Sequence, residues 1–346
     1  MIWNAACPLA TRWRPGGAAI RRMRATRPAR QTVGVSDLPD LTPGELAAFA
    51  QQFGLESPLT RLPSVGIVNR VYRARRAGRA VVLRVPMPGD IEDALTESVA
   101  VPAAVRADIP TPALLVFDDS RAVLDAPVSV YAFAPGRSLD GLPWGYGDPR
   151  LSRAWREAGR ALAALHAGVT DAPDPHGYLE SITPPDPART RTRVLTGERL
   201  GTAEADWATG LTARLLSENP PPAQPAFLHN DLHAGNLMVT GDGAVTALID
   251  WGDAGWGDPA LDLSYSGPLA VPDLLAGYHE ASGTEGDALT LRVLAYTLDN
   301  ATRYLTRQPE AHENGDLWYT RPATALMGLL RVSPRVPQWQ EALGGC

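Results

Sequence analysis

Apolar positions along the chain fall into two rhythms. Leu151, Ala154, Trp155, Ala158, Leu162 and Leu165 recur at the spacing of one helical face and predict a helix over 151–167. Leu291, Leu294, Ala295, Leu298, Ala301 and Leu305 do the same over 288–305. Residues 41–54 read as a shorter helix, with Pro43 in its first turn and Gly54 as its stop. Two more helices are expected at 91–107, ending before Pro110 and Pro112, and at 203–217. Strand signals lie at 71–74 and 80–85, around a turn at Ala77–Gly78, and at 113–117 and 127–133, split by a turn at Asp118–Ser120. Links this short imply largely antiparallel strands. Residues 237–239 and 244–249 flank Gly241-Asp-Gly243, a further hairpin signal.

This order gives an α+β chain with a sheet-rich first part and a mostly helical second part. Pro135–Gly136, followed by the Gly-, Pro- and Trp-rich stretch 141–149, marks the boundary. An N-terminal lobe over 37–136 and a C-terminal lobe over 137–346 are therefore expected. Residues 219–225 form a proline-rich linker, and no internal repeat is visible.

Composition sharpens the picture in three places. Of 346 residues, 45% are hydrophobic and 20% charged, a balance able to bury a full core, yet no apolar run approaches the ~18 residues of a membrane span. The two cysteines, Cys7 and Cys346, make no metal-site or disulfide spacing, so a cytoplasmic location without membrane attachment is expected. Residues 1–36 hold seven arginines and no acid, and read as a disordered tail. The remainder carries 25 arginines against 38 acids, a charge of −13 that argues against a nucleic-acid partner and suits a cationic small molecule. All 32 basic residues are arginine; the sequence has no lysine.

The chemistry concentrates in Phe227-Leu-His-Asn-Asp-Leu-His-Ala-Gly-Asn-Leu237. Asp231 precedes Asn236 by five residues, and Asp250 follows nineteen after Asp231 at the end of the second hairpin strand. A hairpin returns the chain to its start, which brings Asp250 near Asn236 and the Asp231 loop beside both. Phosphoryl transfer needs such a cluster. One carboxylate receives or orients the acceptor hydroxyl's proton, and oxygen ligands hold magnesium against a triphosphate.

His229-Asn-Asp231-Leu-His-Ala-Gly-Asn236 resembles the catalytic loop of the aminoglycoside phosphotransferase and choline kinase family. Ile249-Asp250-Trp251-Gly252 resembles the metal-binding motif that follows that loop, and Gly257-Asp258-Pro259-Ala-Leu-Asp262-Leu263 resembles the family's continuation. The resemblance spans roughly 55–305. It implies the two-lobed protein-kinase-like fold and transfer of the γ-phosphate of ATP or GTP, with Mg²⁺, to a hydroxyl of a small molecule. That acceptor class takes in aminoglycosides, macrolides and amino alcohols. It implies Asp231 as catalytic base, Asn236 and Asp250 as magnesium ligands, and His229 and His233 as braces of the loop. Asp258 and Asp262 are read as helix caps or loop holders, and His166, in Leu162-Ala-Ala-Leu-His166, as a buried hydrogen-bonded group.

On the nucleotide side, Ser64-Val-Gly66-Ile-Val-Asn69 stands where the family has its phosphate-covering loop. Arg84, in Leu83-Arg84-Val85, stands where the family's triphosphate-binding lysine belongs, and many similar members, the macrolide phosphotransferase branch included, show Leu-Arg there. An arginine there neutralises phosphate and offers a two-pronged donor. Alternation puts Arg84 on the face opposite Leu83, which by itself leaves a surface position open. Glu97 matches the position that pairs with this cation, with Glu92 as a competing partner. Val128–Gly136 resembles the strand and hinge that grip the purine, with backbone groups of Ala132 and Ala134 on the base edge and Tyr131 at the back of the pocket. Most of the nine tryptophans read as core, with Trp256 and Trp318 the two worth following as aromatic contacts. The competing reading is a catalytically silent nucleotide-binding regulator, against which the complete Asp231/Asn236/Asp250 set speaks. A protein kinase is disfavoured because Trp251–Gly252 runs straight into Asp258-Pro, leaving little room for a peptide-binding segment.

Overall fold

A computed structural model describes residues 40–62, 69–87, 91–283, 286–308 and 322–344. All belong to one unit, Pro39–Cys346; the expected tail over 1–36, both cysteines and Trp318 lie outside the described residues. Thr42 starts the first helix, α1 (Pro43–Phe53), in a reciprocal cap. Its hydroxyl accepts the Glu45 N–H, and the Glu45 carboxylate accepts the Thr42 N–H. Gly54 closes the helix at φ 62°, a left-handed turn that glycine adopts without penalty.

Five strands follow: β1 (Glu56–Arg61), β2 (Asn69–Arg76), β3 (Arg79–Pro86), β4 (Leu114–Asp118) and β5 (Val128–Ala132). They form one antiparallel sheet in the order β1-β2-β3-β5-β4. Alternation along β3 sorts its side chains. Val81, Leu83 and Val85 bury on one face with Phe49, Phe53, Tyr72, Val128 and Val130. Arg84 points to the opposite face, where α2 (Glu92–Arg106) supplies its partner.

The rest of the chain is mainly helical: α3 (Pro149–Gly168), α4 (Pro187–Thr196), α5 (Thr202–Glu218), α6 (Pro259–Tyr265), α7 (Val271–Ser282), α8 (Asp287–Tyr304), α9 (Pro322–Val332) and α10 (Pro337–Ala342). Two small sheets set the loops of the site. One pairs β6 (Arg137–Ser138), β9 (Leu237–Val239) and β10 (Val245–Leu248) in the order β10-β9-β6. The other pairs β7 (Glu180–Ser181), β8 (Ala226–Leu228) and β11 (Gly255–Gly257) in the order β7-β11-β8. Among the described residues, no helix is long and apolar enough to cross a membrane.

The long periodic helices and the hairpins stand where the sequence puts them, within one or two residues at their ends. Three features differ. β10 stops at Leu248, so Asp250 lies past the strand in a left-handed turn (φ 67°), not at the strand's end. α4 occupies residues that carry only Thr190 and Val194 as buried positions, too few to show a period. The strands β6, β7 and β11 are two or three residues long, and their pairing is decided by distant partners.

The helical part is built around the packing of α3 against α7, where glycines let backbones touch. A Cβ on Gly277 would sit 1.9 Å from the Arg156 carbonyl oxygen, and one on Gly159 would sit 2.1 Å from that of Leu274. Gly277→Ala is therefore expected to cost about 3 kcal/mol, since backbone on both sides must move. Gly210→Ala, at an open exposed site within α5, is expected to add about 0.5–1 kcal/mol. Denaturant titration of the two variants checks the contrast, and a Gly277→Ala protein as stable as the parent contradicts the packing described.

Candidate active site

The loop 229–236 leaves β8 and enters β9 through a single 3₁₀ turn, Ala234–Asn236. One buried carboxylate holds its start. Asp262 on α6 accepts the backbone N–H of His229 (2.9 Å) and of Asn230 (2.6 Å), and bonds the His166 Nε2 of α3 (2.9 Å). The second His166 nitrogen meets the Tyr278 hydroxyl at 3.1 Å. One turn on, the Ser266 hydroxyl donates to the Leu232 carbonyl at 2.6 Å, so α6 grips the loop on both sides of Asp231. Asp258 caps α6 through the Ala260 N–H and also pairs with Arg292 at 2.8 Å.

His229 is fully buried and joins two parts of the site. Its Nε2–H donates to the Ile249 carbonyl (3.1 Å), and its Nδ1 accepts the Asp231 N–H (3.3 Å). Burial pushes this imidazole below its usual range, which agrees with a neutral ring doing both jobs. The ring also lies against Trp251, centroid to centroid 4.5 Å. His233 turns back on its own loop, where Nδ1 accepts the Gly235 N–H. Its Nε2 stands 3.8 Å from Asp231 Oδ2, and burial lowers its proton affinity too. A Cβ on Gly235 would lie 2.6 Å from the His233 ring, so any larger residue here must displace that ring.

Asp231, Asn236 and Asp250 converge. The Asn236 amide nitrogen donates to both the Asp231 carbonyl and its Oδ2, each at 2.9 Å. Its backbone carbonyl accepts the Ile249 N–H at 3.0 Å, which carries Asp250 to the same edge. With the amide nitrogen spent on Asp231, the Asn236 side-chain oxygen is the atom left for a cation. Burial pushes the Asp231 carboxyl up to about 8; the nearby charges of Asp253 and Asp250 add to the rise, while hydrogen bonds from Tyr265 and Asn236 oppose it. Asn230 and Asp250 both hold positive φ, 62° and 67°. Left-handed backbone costs about 1–2 kcal/mol per non-glycine residue, and the surrounding bonds hold both residues there.

Arg84 closes the site from the sheet side. Its Nη1 donates to Glu97 Oε1 at 2.5 Å and its Nη2 to Asp250 Oδ1 at 2.9 Å. Glu97 also accepts the Tyr131 hydroxyl (2.6 Å) and the Trp251 N–H (3.1 Å). Burial would push Asp250 up, but the Arg84 charge and hydrogen bond outweigh it and hold the carboxyl below its usual range. Glu92 is exposed at the helix start, so Glu97 is the partner. Gly252 lets α2 press on this turn, because a Cβ there would lie 2.6 Å from the Asp93 Cβ.

The structure thus gathers Arg84, Glu97, Tyr131, His229, Asp231, His233, Asn236 and Asp250 into one cluster. Asn69 is buried at the start of β2, in register with Pro86. Ser64 and Gly66 lie outside the described residues. The Ala132 N–H is already bonded to the Ala113 carbonyl (2.9 Å) and the Phe133 N–H to the Ala80 carbonyl (3.3 Å). Trp256 packs edge-on against Phe227 as part of the core. Three contributors had no signal in the motifs: Asp253, whose carbonyl accepts the Asn230 amide (3.1 Å); Tyr265, beside Asp231; and the buried Asp140 beside His233. Only Tyr265 had a usable clue, standing one helical turn after Asp262.

Residues 60–294 match the family model described as APH, phosphotransferase enzyme family. The chain belongs to this family. It is an enzyme of the small-molecule kinase class, with a hydroxyl acceptor. Among solved structures, the spectinomycin phosphotransferase APH(9)-Ia, crystallised with ADP and spectinomycin, is similar over 89% of this chain and 99% of its own (TM-score 0.55, 12% identity). The macrolide 2′-phosphotransferase MphH of Brachybacterium faecium is similar over 78% of this chain and 100% of its own (TM-score 0.51, 20% identity). These likenesses establish the two-lobed protein-kinase-like fold of the family. The uncharacterised protein YcbJ of Bacillus subtilis (strain 168) is 30% identical over 101 residues, which is 27% of this chain and 33% of YcbJ.

Asp262→Ala leaves two backbone N–H groups and the His166 ring without their acceptor in the interior. The variant is expected to lose about 3 kcal/mol or more, since each stranded buried group costs about 1–3 kcal/mol. Hydrogen exchange should show the loss first at His229 and Asn230, and unchanged exchange at both amides contradicts the anchoring role.

Proposed function

We propose that the chain transfers the γ-phosphoryl group of ATP or GTP to a hydroxyl of a small molecule with Mg²⁺ as the metal. The observation that carries this reading is the convergence of Asp231, Asn236 and Asp250, with Asn236 bonded to Asp231 through its side chain and to Ile249 through its backbone. The donor set fits magnesium, a hard ion that takes carboxylate and amide oxygens and fills its remaining positions with water and phosphate. Among the described residues, no group of three or more His, Cys, Asp or Glu side chains is arranged to hold a metal alone. When bound, the ion neutralises charge on the phosphate oxygens.

Each residue has a stated task. Asp250 and the Asn236 side-chain oxygen hold the metal. Asp231 accepts a hydrogen bond from the acceptor hydroxyl, orients it in line with the phosphorus, and holds its proton as the new O–P bond forms. Its buried setting raises its affinity for that proton. His229 and His233 keep the loop in shape. Arg84, paired with Glu97, holds the triphosphate together with the 64–69 loop, while the hinge around Ala132 and Ala134 takes the base. On this reading 37–136 is the nucleotide-binding lobe, and 137–346 carries the loop, the metal site and the acceptor site. The acceptors proposed are aminoglycosides, macrolides, amino alcohols and similar metabolites, with the acidic body favouring cationic ones.

Purified protein with Mg²⁺, ATP or GTP and a panel of these acceptors is expected to release nucleoside diphosphate only with a matching acceptor. Asp231→Asn is expected to lower kcat by about 10²–10⁴-fold, the range for losing a positioned base. Asp250→Ala is expected to abolish turnover while leaving the thermal melt near that of the parent. Near-normal turnover in Asp250→Ala removes the metal assignment; a nucleotide-labelled acceptor would change the reaction from phosphoryl to nucleotidyl transfer.

A further inference from the structure

Arg84 stands between two acids, one of which is the metal ligand of the preceding section. Its two terminal nitrogens are divided, Nη1 to Glu97 at 2.5 Å and Nη2 to Asp250 at 2.9 Å. The two bonds differ in how firmly they are set. Glu97 is fixed from three directions, by Arg84, the Tyr131 hydroxyl and the Trp251 N–H, and its side chain is 3% exposed. Asp250 is 35% exposed at its side chain, on the open side of the cluster. Arg84 can therefore stay docked on Glu97 through Nη1 while Nη2 changes partner.

We propose that Arg84 is a built-in counter-cation that keeps Asp250 closed to a free divalent ion and releases it when a triphosphate takes over Nη2. The inference rests on Asp250 being a metal ligand. A divalent ion arriving alone at Asp250 meets the Arg84 charge already there, and to engage both carboxylate oxygens it must displace the Nη2–H from Oδ1. That leaves a largely buried guanidinium N–H without an acceptor and sets two cations side by side. A triphosphate removes both costs, because its oxygens accept from Nη2 and also ligate the ion. The arginine is what makes the division workable, since its fork donates to two acids through separate nitrogens. Metal then enters with nucleotide and not before it, and linkage requires that each strengthen the binding of the other.

The test is Mn²⁺ binding to the full chain without nucleotide, read by electron paramagnetic resonance. Parent and R84Q/E97Q are compared, because the double variant removes one positive and one negative charge and keeps the local total constant. A gain in affinity then reports the freed Asp250 and not a general change of field. R84Q/E97Q is expected to bind Mn²⁺ alone at least tenfold more tightly than the parent, and equal affinities overturn the proposal. Adding D250N to the double variant separates the two layers. Loss of the gained affinity supports both; retention means Asp250 is not the ligand, and the reading beneath the proposal fails with it. Should the double variant not fold, nitrogen NMR of the parent's arginine side chains gives the same answer, with Arg84 assigned by its absence in R84K. Mg²⁺ alone is expected to leave the Arg84 signal in place and Mg²⁺ with a non-hydrolysable ATP analogue to move it; movement with Mg²⁺ alone refutes the counter-cation role.

Discussion

The Asp262 carboxylate is the constraint on which the catalytic loop depends. It is fully buried, and it receives two successive backbone N–H groups from the loop and one imidazole from α3. A buried carboxylate is costly unless its lone pairs are filled, so the same bonds that satisfy it also fix where the loop can run. Asn230 takes a left-handed conformation directly after this anchor and turns the chain so that Asp231 faces Asn236. The position of the proposed base thus follows from the burial of a residue that takes no part in the chemistry. α3 and α7 serve the same end, since their glycine-mediated contact and the His166–Tyr278 bond lock the far side of that anchor.

Acid crowding marks the site. Asp253 and Asp250 add to the rise that burial gives Asp231, while the Arg84 guanidinium holds Asp250 below its usual range. The two carboxyls therefore separate into an ionised member on the sheet side and a proton-seeking member under the loop. That division suits the ligand and base proposed, and it arises from the burial of Asp231 and from where one arginine stands beside Asp250.

The strands and long helices were legible because their signals are local. The hairpins declared themselves by turns between short apolar runs, and 151–167 and 288–305 by a helical period. The convergence of Asp231, Asn236 and Asp250 was legible for a different reason: these residue types stand in a recognisable order around a hairpin. What could not be read is set by partners distant in sequence. Alternation along β3 put Arg84 opposite Leu83 but was equally consistent with solvent; only α2 packing on that face makes it interior. The reach of Arg84 to Asp250, 166 residues away, has no trace in any local pattern. The same holds for β7 and β11, which exist as strands through pairing and not through their own composition. Asp253 lies in a loop, where no periodicity assigns a side chain to a site.

The sheet lobe and the loop region meet tightly at α2, and that tightness has a consequence for the site. Gly252 meets Asp93 so closely that a single Cβ would force the two apart, and four residues along the same helix Glu97 accepts the Trp251 N–H. α2 is thereby fastened to both residues that follow Asp250. A shift of α2 must carry that turn with it, because interiors packed to this density transmit displacement instead of absorbing it. Trp251 extends the coupling inward through its tilted ring contact with His229 and its indole bond to Thr111 at 2.9 Å. The left-handed geometry of Asp250 is therefore held from the helix, the sheet and the catalytic loop together. A conformation that would otherwise relax by rotating one residue can relax only if all three move, and this allows a strained aspartate to persist at the centre of the site.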